Sequence, residues 1–142
     1  MTVDVFRETF ETNVFGAFRV IKAFLPLLTK SERGRIINIS SGLGSLTRHA
    51  DPNSPLTLRN MLRAYSASKT ALNMMTVQFA NELKSAGIKV NSACPGFTAT
   101  DMNQHRGAKT VEQGAATPVR LALLPEDGPT GGVFSDEGPQ PW

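Results

Sequence analysis

The sequence predicts an α/β fold: a parallel sheet with flanking helices. Three observations lead there. Segments of helical periodicity alternate with short β-branched runs in the order helix, strand, helix, strand, helix, strand, which implies right-handed crossovers between parallel strands. The run Ile36-Ile37-Asn38-Ile39 is apolar on both faces, as a central strand covered by helices must be. The chain has 142 residues, 40% hydrophobic and 19% charged, which is enough for one domain and its core.

Each element has its own signature. From Thr2 to Thr29, Phe6, Phe10, Ala17, Phe18, Ile21, Leu25 and Leu28 recur at three- and four-residue steps, one stripe of a long helix. Thr2 or Asp4 caps its start. Thr12-Asn13-Val14 places three poor helix formers in its middle, and Pro26 bends or re-caps its last turns. The strand Ile36–Ile39 follows and runs into a small-residue loop, Ser40 to Ser45. His49 to Asn60 reads as irregular. Tyr65 to Lys84 is a second long helix with Leu72, Met75, Phe79 and Leu83 as its apolar stripe. Gly87 stops it, Ile88 to Ala93 is the next strand, and Pro95-Gly96 ends that strand. Thr110 caps a third helix reaching Leu124, which Pro118 is expected to interrupt. Gly131 to Ser135 is a last short strand, and Pro139 to Trp142 a tail.

Composition excludes several classes. The net charge is +3, but basic residues are interleaved with acids, as in Lys30-Ser31-Glu32-Arg33. One Tyr and one Trp offer few stacking platforms, so no nucleic-acid partner is expected. No apolar run reaches the ~18 residues of a membrane span. No signal peptide opens the chain, and one Cys excludes an internal disulfide, so the expected setting is reducing and cytoplasmic. His49 and His105 are isolated and no metal site is expected. Cys94 reads as a buried small hydrophobe.

Chemistry gathers at the strand ends, where open α/β sheets hold their ligands. Ser40-Ser41-Gly42 leaves one strand, Cys94-Pro95-Gly96 leaves the next, and Tyr65 and Lys69 open the helix between them. A Tyr and a Lys four apart share a helix face. The ammonium is expected to draw the phenol pKa down from about 10, making a usable general acid or base. A neighbouring serine hydroxyl can stabilise charge developing on a substrate oxygen.

These residues resemble the short-chain dehydrogenase/reductase family. Tyr65-Ser66-Ala67-Ser68-Lys69 is similar to its YxxxK signature, and Ile36 to Ser41 to the strand ending in its catalytic serine. Asn13-Val14-Phe15-Gly16 resembles its mid-helix asparagine, and Pro95 to Thr100 its proline-glycine loop at the nicotinamide. The resemblance implies a Rossmann-like fold and an NAD(P)-dependent oxidoreductase acting on a small carbonyl or alcohol. Tyr65 would be the proton donor, and Lys69 its tuner and a ligand of the nicotinamide ribose. Ser41, rather than Ser40, would hold the carbonyl oxygen, and Asn13 would anchor a water in a proton relay to Lys69. Pro95, Gly96, Phe97, Thr98 and Thr100 would contact the cofactor. It also implies a homo-oligomer through the helices at 6–28 and 65–84.

Two departures qualify the resemblance. Ser41 and Tyr65 are separated by a longer stretch than the family's usual one. The extra Leu46 to Leu62 resembles the insertion of carbonyl-reductase-like members, which bears on substrate choice and tilts the expectation to NADP. The family's TGxxxGxG turn, which seats the pyrophosphate, is absent, and Gly42 to Gly44 precedes no immediate helix. The reading is therefore a single, N-terminally truncated domain over 1–142, with about four strands of the family's doubly wound sheet lying before Met1. It would be inactive by itself. The alternative is a non-catalytic subunit that retains the oligomerisation helices.

Overall fold

A computed structural model describes residues 1–54 and 63–142. The stretch 55–62, which holds the second half of the predicted insertion, lies outside the described residues. The first long helix comprises α1 (Val3–Phe10), a π-helical segment (Glu11–Gly16) and α2 (Ala17–Leu28). Thr2 caps it, its hydroxyl accepting from the Val5 amide. The wide turns coincide with Thr12-Asn13-Val14 and Gly16, where helix propensity is weakest. Pro26 is accommodated near the end, and the helix runs on to Leu28.

Strand β1 (Arg35–Ile39) leads through a 3₁₀ turn (Gly42–Gly44) into α3 (Leu46–Ala50). This short helix corrects the expectation of irregular chain from His49 and of no helix after Gly44. Ser45 makes it possible by accepting from the Arg48 amide. Helix α4 (Arg63–Glu82) crosses back to β2 (Lys89–Ala93), and α5 (Val111–Ala122) to β3 (Val133–Ser135). Gly87, at φ 68°, makes the left-handed turn between α4 and β2.

The sheet order is β1-β2-β3 in parallel, with β4 (Gly138–Gln140) antiparallel at the edge. Strand β4 corrects the expectation of a tail. Glycine and proline hide it in the sequence, but an edge strand can place Pro139 where no ladder N–H is needed. The tail beyond it is also tied down, with the Trp142 carbonyl accepting from the Thr47 amide and the Ser45 hydroxyl. Pro118 does not interrupt α5. Burial of Thr117 and Leu121 against the sheet holds the helix through it.

The alternation along β1 and β2 builds two core layers. Ile36 and Val90 face α2 and α4, in a cluster with Ile21, Phe79, Leu83 and Ile88. Ile37 and Ala93 face α5, with Leu121 and Phe134. Phe79 is 4% exposed and its ring centroid lies 5.9 Å from that of Phe18. Phe79→Ala is expected to cost about 3–5 kcal/mol, read as a lowered urea midpoint at unchanged m-value. Among the described residues β1 has β2 as its single sheet partner, and Ile39 at its end is 48% exposed. No helix of the described chain is long and apolar enough to cross a membrane.

Candidate active site

The carboxyl ends of β1 and β2 meet the N-terminal half of α4. Three kinds of contact fix this junction. Asn38 on β1 donates to Thr76 Oγ1 (2.8 Å), which lies 2.8 Å from Ser92 Oγ on β2. The Ser40 hydroxyl donates to Asn73 Oδ1 (2.6 Å). Gly44 rests on the helix backbone, so that a Cβ there would come within 2.9 Å of the Lys69 carbonyl carbon. The buried polar side chains that couple sheet to helix thus pair with one another, and none of them is left unsatisfied among the described residues.

Tyr65, Ser41 and Lys69 come together above this junction. The Ser41 side chain lies near enough to the Tyr65 phenol to favour its phenolate, and Lys69 Nζ lies 5.4 Å from the Tyr65 ring centroid. Ser41 adopts extended backbone (φ −155°, ψ 149°) and accepts the Leu43 amide at 3.2 Å. Ser40 points away into the core, 2% exposed. The structure therefore distinguishes the two serines: only Ser41 faces the phenol.

The electrostatics reverse one expectation. The Tyr65 phenol is held above its ordinary value of 10.0, because burial outweighs the opposing hydrogen bond from Ser41, and negative charge at Cys94 adds to the rise. Burial also lowers the Lys69 pKa below 10.5. Lys69 is not among the groups that shift the phenol; what opposes its desolvation is the Ser41 side chain. The phenol thus stays protonated at neutral pH.

Lys69 is 9% exposed and donates to the Ile39 carbonyl at 2.9 Å. That is its one hydrogen-bond acceptor among the described residues, leaving two N–H groups for a ligand. Asn13, on the π-helical segment, donates to Ser68 Oγ at 3.0 Å, and Ser68 Oγ donates to the Tyr65 carbonyl at 2.7 Å. Asn13 thus reaches the turn of α4 that bears both Tyr65 and Lys69.

The Pro95–Thr100 loop forms the other wall. Gly96 at φ 76° turns the chain out of β2 and packs under the Lys109 side chain. Phe97 is 57% exposed, and Thr98 Oγ1 donates to the Pro95 carbonyl at 3.2 Å. Thr98 lodges over Gly114 of α5, where a side chain would collide with it. The Thr100 amide donates to Asn103 Oδ1 at 3.2 Å. Cys94 Sγ is not inert packing: it accepts the Gly42 amide at 3.1 Å and ties the two loops together. A protonated phenol, a neighbouring hydroxyl and an ammonium with unused donors can together give a proton and hydrogen bonds to a bound oxygen. Sequence reading missed Asn73, whose amide oxygen accepts from the Ser40 hydroxyl. The spacing Tyr65, Lys69, Asn73, Thr76 on one helix face was the signal that could have found Asn73.

Comparison with known proteins identifies the family. The family model described as short chain dehydrogenase matches residues 1–111. The chain is 36% identical to short-chain dehydrogenase/reductase 1 of Saponaria officinalis over 92% of its length and 53% of that protein's. It is 33% identical to (+)-neomenthol dehydrogenase of Arabidopsis thaliana, covering 94% of the chain and 56% of that protein. Among solved structures, salutaridine reductase from Papaver somniferum superposes with TM-score 0.78 at 32% identity, covering 96% of the chain and 56% of that one. NADPH-bound carbonyl reductase from chicken fatty liver gives TM-score 0.83 at 27% identity, covering 100% and 56% respectively. The chain spans about half the length of the curated relatives it matches.

Proposed function

The chain belongs to the short-chain dehydrogenase/reductase family of oxidoreductases, and on that premise we propose that it carries the proton-transfer machinery of an NADP(H)-dependent carbonyl reductase. The observation that carries this reading is the convergence of Ser41, from the loop after β1, and the Lys69 ammonium, 5.4 Å from the ring centroid, on the Tyr65 phenol. When bound, the nicotinamide supplies the hydride to the carbonyl carbon. Tyr65 gives its hydroxyl proton to the carbonyl oxygen, and its raised pKa keeps that proton in place at neutral pH. Ser41 donates a hydrogen bond to the same oxygen. Lys69 offers its two unused N–H groups to the ribose hydroxyls. Asn13, through Ser68, steadies the turn of α4 that holds them. Pro95, Gly96, Phe97, Thr98 and Thr100, in the loop after β2, would contact the nicotinamide when it is bound. NADP rather than NAD is assigned by analogy with the NADPH-bound chicken enzyme.

The 142 residues contain no Gly-x-x-x-Gly-x-Gly run to seat a pyrophosphate. Taken alone, they are expected to bind NADPH no tighter than roughly millimolar, about −4 kcal/mol. Isothermal titration with NADPH and NADH checks this, and micromolar binding of either would overturn it. Joined behind the portion of chicken carbonyl reductase that it does not match, the chain is expected to reduce carbonyls with NADPH. A well-folded joined protein that binds NADPH and turns over no member of an aldehyde and ketone panel would refute the catalytic reading.

One observation favours a second reading, an oligomeric subunit. Val20, Phe24 and Leu27 of α2 and Met74 of α4 are each more than half exposed. Burying such side chains against a second copy is favourable, by about 25 cal/mol per Å².

A further inference from the structure

Ser41 stands between two anchor points, and both lie on α4. On one side, the hydroxyl of Ser40, the residue before it, donates to Asn73 Oδ1 at 2.6 Å. On the other, the Gly44 carbonyl accepts from Thr70 Oγ1 at 2.9 Å and from Asn73 Nδ2 at 3.5 Å. Asn73 is 3% exposed and hydrogen-bonds to both Ser40 and Gly44. It follows Tyr65 and Lys69 on the same helix face, two turns and one turn further along. The Ser40 amide is fixed as well, donating to the Ala93 carbonyl at 2.8 Å. The Ser40–Gly44 loop is therefore clamped at both ends by the helix that bears the phenol.

We infer that Asn73 is a positioning residue of this site: through the Ser40 hydroxyl and the Gly44 carbonyl it sets the loop so that Ser41 stands against Tyr65. The inference rests on the proposed pairing of Ser41 with Tyr65. Asn73 touches neither reacting atom and acts only through the loop. Its amide suits the task, because one side chain offers an acceptor to Ser40 and a donor to Gly44 at once.

Tyr65 is the chain's single tyrosine, so its ionisation can be followed by phenolate absorbance with no background from others. The titratable groups near it, Lys69 and Cys94, are common to every variant below. Titrations are run over the pH range in which circular dichroism shows the fold intact. Ser41→Ala is expected to raise the Tyr65 midpoint by roughly one pH unit, by removing the bond that favours the phenolate. Asn73→Ala and Ser40→Ala are each expected to raise it in the same direction, and neither adds to the shift in a Ser41→Ala background. If Ser41→Ala shifts the midpoint while folded Ser40→Ala or folded Asn73→Ala leaves it in place, the positioning role is overturned and the catalytic reading stands. If Ser41→Ala itself has no effect, the Ser41–Tyr65 pairing fails and the role of Asn73 falls with it. Should Asn73→Ala not fold, Ser40→Ala decides, since it breaks the same clamp by deleting a single oxygen.

Discussion

Tyr65→Phe is expected to lower carbonyl turnover by roughly 10²–10⁴-fold while NADPH affinity stays within about twofold. The measurement is kcat and Kd in the protein joined to the unmatched part of chicken carbonyl reductase. The substitution removes one oxygen from a half-buried side chain and leaves the ring over which Lys69 lies. The loss therefore falls on proton donation, and kcat and kcat/KM drop together. Burial holds the phenol above its ordinary value of 10.0, so reduction is expected to keep its rate through neutral pH and lose it as pH climbs past 10 and the phenol ionises. Oxidation of an alcohol needs the phenolate and should gain over the same interval. Unchanged turnover in Tyr65→Phe would remove Tyr65 from the proton path.

Gly44→Ala is expected to destabilise the fold by about 1–3 kcal/mol, as overpacking does. The new methyl would sit 2.9 Å from both the Lys69 carbonyl carbon and Lys69 Cβ, and 3.1 Å from its carbonyl oxygen. Backbone cannot rotate aside as a flexible side chain would, so α4 must retreat from the serine loop. That retreat moves Tyr65 and Lys69 away from Ser41 together. A displacement on the order of 1 Å costs about 10²-fold in rate, read here in the joined protein. Urea unfolding and kcat are thus expected to fall in one variant, and a fully stable Gly44→Ala would mean that the helix does not rest on this glycine.

The legible part of the fold was the part written in periodicity. The stripes through Ile21 and Phe79 and the β-branched Ile36–Ile39 give two long helices and the first strand, because burial on the sheet needs those spacings. The weak point at Thr12-Asn13-Val14 coincides with the π-helical segment, because poor helix formers collect where the hydrogen-bond ladder widens. Strand β4 was illegible because Gly138 and Pro139 are poor strand formers, and its existence depends on pairing with Phe134. Pro118 misled for the complementary reason: tertiary burial of its neighbours outweighs a lost helical bond. In the site, Tyr65 and Lys69 announce themselves by spacing. The raised phenol pKa does not, because desolvation is a property of the packed state and outweighs the opposing effect of Ser41. Asn73 stayed hidden for a related reason. Its partners, Ser40 and Gly44, lie far back in the chain and reach it only through the fold.

The pairing of β1 with β2 also sets the order in which the molecule assembles. Arg35 pairs with Lys89 and Ile39 with Ala93, so the ladder beneath the serine loop closes a detour of more than fifty residues. The β2–β3 pairing closes another, from Ser92 to Val133. Such non-local contacts raise contact order and slow folding, because the entropy of ring closure is lost before the ladder compensates for it. Helix α4 can form early from local contacts, carrying Tyr65 and Lys69 with it. Ser41 joins them only when the parallel ladder locks. The approach of Ser41 to Tyr65 should therefore appear with the slowest refolding phase, well after helical structure has returned.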